Sequence, residues 1–285
     1  MRWTPGGTSG DIEDDRDQSG GGGGGFGFGG MHVGIGGFLL LLVLSLVFKH
    51  NFLSLVGLGT PGTTSSISQP DTARDQQEQP EVQFVSFVLD DTQKTWTQIL
   101  SQQGVNYRHA KLVLFRDSIV SGCGQAQAAT GPFYCPEDEK VYLDLGFFDQ
   151  LKQQFGAPGE FAQAYVIAHE LGHHVQKLTG IEEKVRAAQQ RNPQAANQLS
   201  ERLELQADCF AGVWGHSTDE RKLLDPGEVR EGLNAAAAVG DDRLQKMAGR
   251  AVNPDTFTHG SSQQRMEWFQ RGFNGGSIAS CNTFQ

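Results

Sequence analysis

The sequence predicts an α+β protein, a mainly helical domain with a small antiparallel sheet, preceded by a single transmembrane helix. Three observations carry that expectation. After Pro80 apolar residues recur at intervals of three and four through most of the chain, the pattern of helices with one buried face. Two short apolar runs, Leu112 to Phe115 and Val141 to Leu145, sit between turn-forming residues and read as strands. From Met31 to Phe48 there is no formally charged residue, and Phe38 to Phe48 is almost entirely Leu, Val and Phe.

Of the 37 glycines in 285 residues, 15 fall within the first 37 positions. Residues 1–30, acidic and then glycine-rich, are therefore expected to form a disordered tail without a core. The stretch from Met31 to Phe48 reaches about 27 Å as a helix, marginally a bilayer core, and Phe52 to Leu58 extends it, so residues 31–58 are expected as a membrane anchor. No basic segment precedes it and no small-residue cleavage site follows closely, which argues against a removed signal peptide. Residues 59–80, rich in Thr, Ser, Gln and Pro, read as a linker, which leaves residues 81–285 as one domain.

Within that domain Val85, Val88, Leu89, Thr92, Trp96, Ile99 and Leu100 mark a first helix, stopped at Gly104. Phe161, Tyr165, Ile167, Ala168, Leu171, Val175 and Leu178 mark a long one that Gly180 ends. Further helices are expected over 182–190, about 194–214, 226–239 and 263–270. A net charge of −10 lacks the basic footprint that a nucleic-acid backbone requires, so no nucleic-acid partner is expected.

The four cysteines include no Cys-x-x-Cys pair, which weakens zinc-ribbon and thioredoxin readings. Cys123 and Cys135 bracket a turn-rich loop that a disulfide can close, with two buried thiols as the alternative. Cys209 and Cys281 then pair by parity. Bridges imply an oxidising compartment, which puts the domain on the periplasmic, extracytoplasmic side of the cell membrane; Arg2, Arg16 and Lys49 give almost no orientation bias.

The chemistry is concentrated in His169-Glu170-Leu171-Gly172-His173. Histidines four apart on a helix face the same way and can hold one zinc ion, with Glu170 beside it to take a proton from water activated there. The flanking residues are apolar, so the histidines are buried and need partners. Gly172 within a helix implies a close neighbour. A third ligand is required. Gln176 and Thr179 occupy the positions where a metzincin would carry Gly and His, which excludes that class. Glu204 is the best candidate, embedded among Leu203, Leu205, Phe210, Val213 and Trp214, with Glu201 as a competitor. Asp208, one turn after Glu204, is placed to accept the outer ring N–H of a ligand histidine. His174 points about 100° away and reads as structural.

The strings Cys-Gly-x-Ala, Gly-Pro-Phe-Tyr-Cys-Pro, Val-Tyr-Leu-Asp-Leu, His-Glu-Leu-Gly-His-His-Val-Gln, Leu-Glu-Leu-Gln-Ala-Asp-Cys-Phe-Ala-Gly-Val-Trp and Thr-His-Gly-Ser-Ser-x-Gln-Arg resemble those of a bacterial family of predicted neutral zinc metallopeptidases. The glycine-rich start and single span are similar in layout too. The resemblance implies a zincin-like domain of the gluzincin type, Zn2+ as cofactor, and protein or peptide substrates. A further resemblance, to membrane zinc peptidases related to CAAX proteases, rests on His259 followed six residues later by Arg265. It implies that His259 stabilises the oxyanion and that Arg265 orients Glu204, against a reading of both as surface residues. By fold analogy an extended substrate pairs with an edge strand at Val141 to Leu145. The competing function is a catalytically inactive, membrane-tethered zinc module that binds proteins.

Overall fold

The computed structural model describes residues 1–17, 72–128 and 131–284. Its sheet has four strands: β1 (Ile12–Asp14), β2 (Lys111–Leu114), β5 (Phe133–Cys135) and β6 (Lys140–Leu143), ordered β1-β2-β6-β5. Strands β1, β2 and β6 run parallel, and β5 is antiparallel to β6. The sheet is thus mixed rather than antiparallel. Parallel neighbours need a crossover of a dozen or more residues, and the chain between β2 and β6 supplies it with β5 and a separate hairpin of β3 (Ser118–Ser121) and β4 (Gly124–Gln127). Strand β6 lies inside the sheet, so the edge expected at Val141 to Leu145 belongs instead to β5.

The helices are α1 (Thr72–Ser101), α2 (Gly146–Gln153), α3 (Glu160–Leu178), α4 (Ile181–Arg191), α5 (Ala196–Glu220), α6 (Glu228–Ala238), α7 (Asp241–Met247) and α8 (Ser262–Gly275). Short α2 and α7 have no counterpart in the sequence reading. The main core joins Val85, Val88 and Leu89 of α1, Leu112 and Leu143 of the sheet, Phe161, Tyr165 and Ile167 of α3, and Trp214 of α5. Helices α5 and α8 meet almost backbone to backbone. A Cβ on Gly212 would lie 2.1 Å from the Phe269 carbonyl oxygen, and one on Gly272 1.9 Å from that of Cys209, so only glycine permits the approach. Disulfides join Cys123 to Cys135 and Cys209 to Cys281.

Two boundaries are corrected. The first seventeen residues of the expected tail are part of the domain: β1 pairs with β2, Trp3 packs edge-on against Phe84, and Arg16 is 5% exposed. Residues 72–80 of the expected linker are the start of α1, which includes Pro80. That turn is held because Asp75 and Glu78 accept hydrogen bonds from Arg116, and Glu78 accepts another from Arg16. The anchor expected over 31–58 lies outside the described residues. Among the described residues no helix is long and apolar enough to cross a membrane.

Candidate metal centre

Helix α3 carries the His-Glu-x-x-His motif, and α5 crosses it at the motif's centre. A Cβ on Gly172 would stand 3.1 Å from the Ala207 carbonyl oxygen and 3.2 Å from its Cα. The close neighbour implied by a mid-helix glycine is therefore α5, at the small residue between Leu205 and Asp208. That contact brings Glu204 and Asp208 up to the two histidines.

The Glu204 carboxylate faces both imidazoles. Its Oε2 is 3.2 Å from His169 Nε2 and its Oε1 is 3.5 Å from His173 Nε2. Among the described residues these three side chains form the group able to hold a metal ion, with one donor atom from each within 4.8 Å of the others. Ligands at about 2.0–2.1 Å from a tetrahedral zinc stand about 3.3 Å apart. The observed separations match such an edge. Both outer nitrogens are also engaged elsewhere, which leaves each Nε2 for a metal. The donor set, two imidazoles and one carboxylate, therefore fits zinc.

Behind His169, Nδ1 lies 2.9 Å from Asp208 Oδ1. Asp208 is fully buried and takes two bonds from Arg265, Nε at 2.8 Å and Nη2 at 2.9 Å, plus one from the Tyr165 hydroxyl. Arg265 thus orients Asp208, not Glu204 as the resemblance implied. The two carboxylates are one turn apart on α5, and α8 approaches the second. Burial alone would raise the Asp208 carboxyl, but the charges of Arg265 and His169 hold it below its ordinary value.

Behind His173 the partner is Gln176, whose Oε1 lies 2.9 Å from Nδ1. Its amide nitrogen donates to the Leu203 carbonyl at 2.7 Å and to Gln206 Oε1 at 3.1 Å, and Gln206 donates in turn to the Cys281 carbonyl at 2.9 Å. Sequence reasoning used Gln176 only to exclude a class. The available signal was spacing: Gln176 stands three residues after His173 on the same helix, within reach of its outer ring nitrogen.

Glu170 is 8% exposed, and burial raises its carboxyl, opposed by the charges of His169 and His173. His174 lies apart from the site, fully buried, with Nδ1 2.9 Å from the Tyr134 hydroxyl and Nε2 2.6 Å from the Arg108 carbonyl. Tyr134 belongs to β5, so the sheet's edge strand lies against the motif helix. His259 has its side chain half exposed and stands near enough to Glu204 for their charges to interact. Its Nδ1 is 3.2 Å from Asp241 Oδ1, while Asp241 Oδ2 accepts the backbone N–H groups of Thr258, His259 and Gly260. Asp241, at the start of α7, was not foreseen. Glu201 is drawn to Gln264 of α8, which donates to it at 2.6 Å, and it does not join the metal group.

Residues 1–284 match the family model described as "Putative neutral zinc metallopeptidase". The chain belongs to that family. It is 50% identical over 285 residues to the uncharacterized protein YpfJ of Escherichia coli, a match that covers all of this chain and 99% of that protein. It is 42% identical over 189 residues to the uncharacterized protein Rv2575 of Mycobacterium tuberculosis, covering 62% of this chain and 63% of that one. No solved structure matches. The match to the Escherichia coli protein spans the whole of this chain, its N-terminal residues included.

Proposed function

We propose that this protein is a membrane-anchored zinc endopeptidase of the gluzincin type, with its catalytic domain on the extracytoplasmic side. The observation that carries the reading is the convergence of His169 Nε2, His173 Nε2 and the Glu204 carboxylate beside a buried Glu170 that belongs to none of these pairings. A purely structural zinc site usually takes a fourth protein ligand. The two disulfides support an oxidising compartment.

When bound at His169, His173 and Glu204, zinc supplies a Lewis acid for the scissile carbonyl and brings water's pKa to about 7. Glu170 accepts the proton of the attacking water and returns it to the leaving amine. His259, with Nδ1 turned to Asp241, offers Nε2 to the carbonyl oxygen as negative charge develops there. Asp208, held by Arg265 and Tyr165, keeps His169 in the tautomer that presents Nε2. An extended peptide adds along the free side of β5, which replaces β6 as the strand assigned to that role.

The test uses the full-length chain in detergent. Wild type should hold one zinc per chain and cleave unstructured casein, and Glu170→Gln should keep the zinc while losing about 100- to 10,000-fold in kcat. Full zinc with no cleavage of any unstructured substrate would establish the inactive binding module instead. Retention of full zinc by Glu204→Ala at nanomolar free metal would remove Glu204 from the ligand set.

A further inference from the structure

A single crossing by residues 31–58 would put everything before it and everything after it on opposite sides of a bilayer. The described residues are arranged otherwise. Ile12, Glu13 and Asp14 pair in register with Leu112, Val113 and Leu114 and close one edge of the sheet. Met1, Trp3 and Ile12 pack against the main core. Polar contacts run along the whole segment. Arg2 pairs with Asp225 at 2.7 Å, Ser9 donates to Asp90 at 2.6 Å, Lys111 donates to the Gly10 carbonyl at 2.9 Å, and Lys140 pairs with Glu13 at 2.6 Å. Without residues 1–17, β2 becomes an open edge and part of the core loses its cover.

The two chain ends that flank residues 18–71 also emerge together. The Arg116 guanidinium contacts the Arg16 carbonyl at 3.3 Å, Asp17 at 4.0 Å and Asp75, in the first turn of α1, at 2.7 Å. One arginine therefore spans the exit and the return of the chain.

We propose that residues 1–17 lie on the same side of the membrane as the catalytic domain. This rests on the reading of the protein as membrane-anchored and extracytoplasmic. Met31 to Leu58 is 28 residues, enough for one crossing of about 20 but short of the roughly 40 that two require. A single-pass topology would need β1 stripped from the sheet.

The experiment places one new cysteine at a time in the full chain, expressed in a bacterial host, and treats spheroplasts with a membrane-impermeant maleimide. The described residues contain no free cysteine to compete. Thr4→Cys and Thr8→Cys report on the N-terminal segment, and Gln190→Cys at the end of α4 reports on the domain; all three positions are exposed. Equal labelling of all three without permeabilisation is the expected result. Labelling of Gln190→Cys in intact spheroplasts, with Thr4→Cys and Thr8→Cys protected until detergent is added, overturns the proposal. Protection of all three until detergent is added supports the shared side but overturns the extracytoplasmic reading, so the two failures are distinguishable.

Discussion

His169 and His173 stand one turn apart and face the same carboxylate, yet the molecule supports them from behind by different means. Behind His169 is a buried charge network: Asp208 from α5, Arg265 from α8 and the Tyr165 hydroxyl from α3. Behind His173 is a neutral amide relay, Gln176 to Gln206, ending on the carbonyl of disulfide-bonded Cys281. An anionic partner raises the basicity of the imidazole it holds, while an amide fixes the ring's orientation with little charge. Burial alone would lower the His169 pKa, but the charge and hydrogen bond of Asp208, together with the hydrogen bond to Glu204, override it and lift the group to about 10. One support is thus ionic, and the other is a neutral relay that reaches the C-terminal segment.

The largest effect should come from breaking the charged side. Arg265→Ala leaves the fully buried Asp208 carboxylate without its guanidinium, and removal of one member of a buried pair costs about 3–5 kcal/mol. Chemical denaturation of the metal-free protein measures it. The double variant Arg265→Met with Asp208→Leu removes both charges and should regain most of that stability. It should still bind zinc about 10- to 100-fold more weakly, because His169 has lost its partner. A loss below about 1 kcal/mol in Arg265→Ala would mean that charge is not what supports His169.

The neutral side should respond less in stability. Gln176→Ala strands the His173 Nδ1–H and leaves the Gln206 amide oxygen without its donor, a loss of about 1–3 kcal/mol for unsatisfied buried groups. Zinc affinity should fall about 10- to 100-fold. Equal loss in Gln176→Ala and Arg265→Ala, read by the same denaturation, would erase the distinction between the two supports.

The sequence exposed one of these supports and hid the other. Helical spacing put His169 and His173 on one face, and Glu204 and Asp208 on another; apolar neighbours favoured Glu204 over Glu201, the motif itself marked Glu170, and Gly172 announced the crossing helix. The partner of Arg265 was not readable. Glu204 and Asp208 share a face, and only the packing of α8 through Gly212 and Gly272 decides which of them it reaches. Gln176 lies at helical spacing from His173, but its other partners, the Leu203 carbonyl and Gln206, are on a different helix, which no spacing encodes. Strand β1 was hidden for a similar reason: three residues in an acidic stretch have little strand propensity, and their pairing with β2 joins positions about a hundred residues apart. The polar start of α1 likewise depends on Arg16 and Arg116, which are distant in sequence.

His259 sharpens the comparison because it combines features of both sides. Like His169 it has a carboxylate at Nδ1, but its own side chain is 49% exposed, so solvent screens the pair. Asp241→Asn keeps an acceptor oxygen and the side-chain volume while removing the charge that draws in Thr258, His259 and Gly260. The expected loss of stability is about 1 kcal/mol or less. Its pH dependence follows from the sign of the shift. Burial alone would raise the Asp241 carboxyl, but the hydrogen bonds from the His259 side chain and backbone hold it below the ordinary carboxylate range. A carboxyl lowered by folding stabilises above its unfolded pKa and ceases to do so as pH falls through the folded one. Wild type should therefore lead Asp241→Asn most between about pH 5 and 6. The margin should close as pH falls through the lowered Asp241 pKa, and narrow as pH rises and His259, whose pKa folding raises, loses its charge. Zinc content should not change, since Asp241 touches no ligand, while kcat on casein should fall up to about tenfold with KM nearly constant. A matching loss of zinc would place Asp241 among the supports of the metal rather than behind His259.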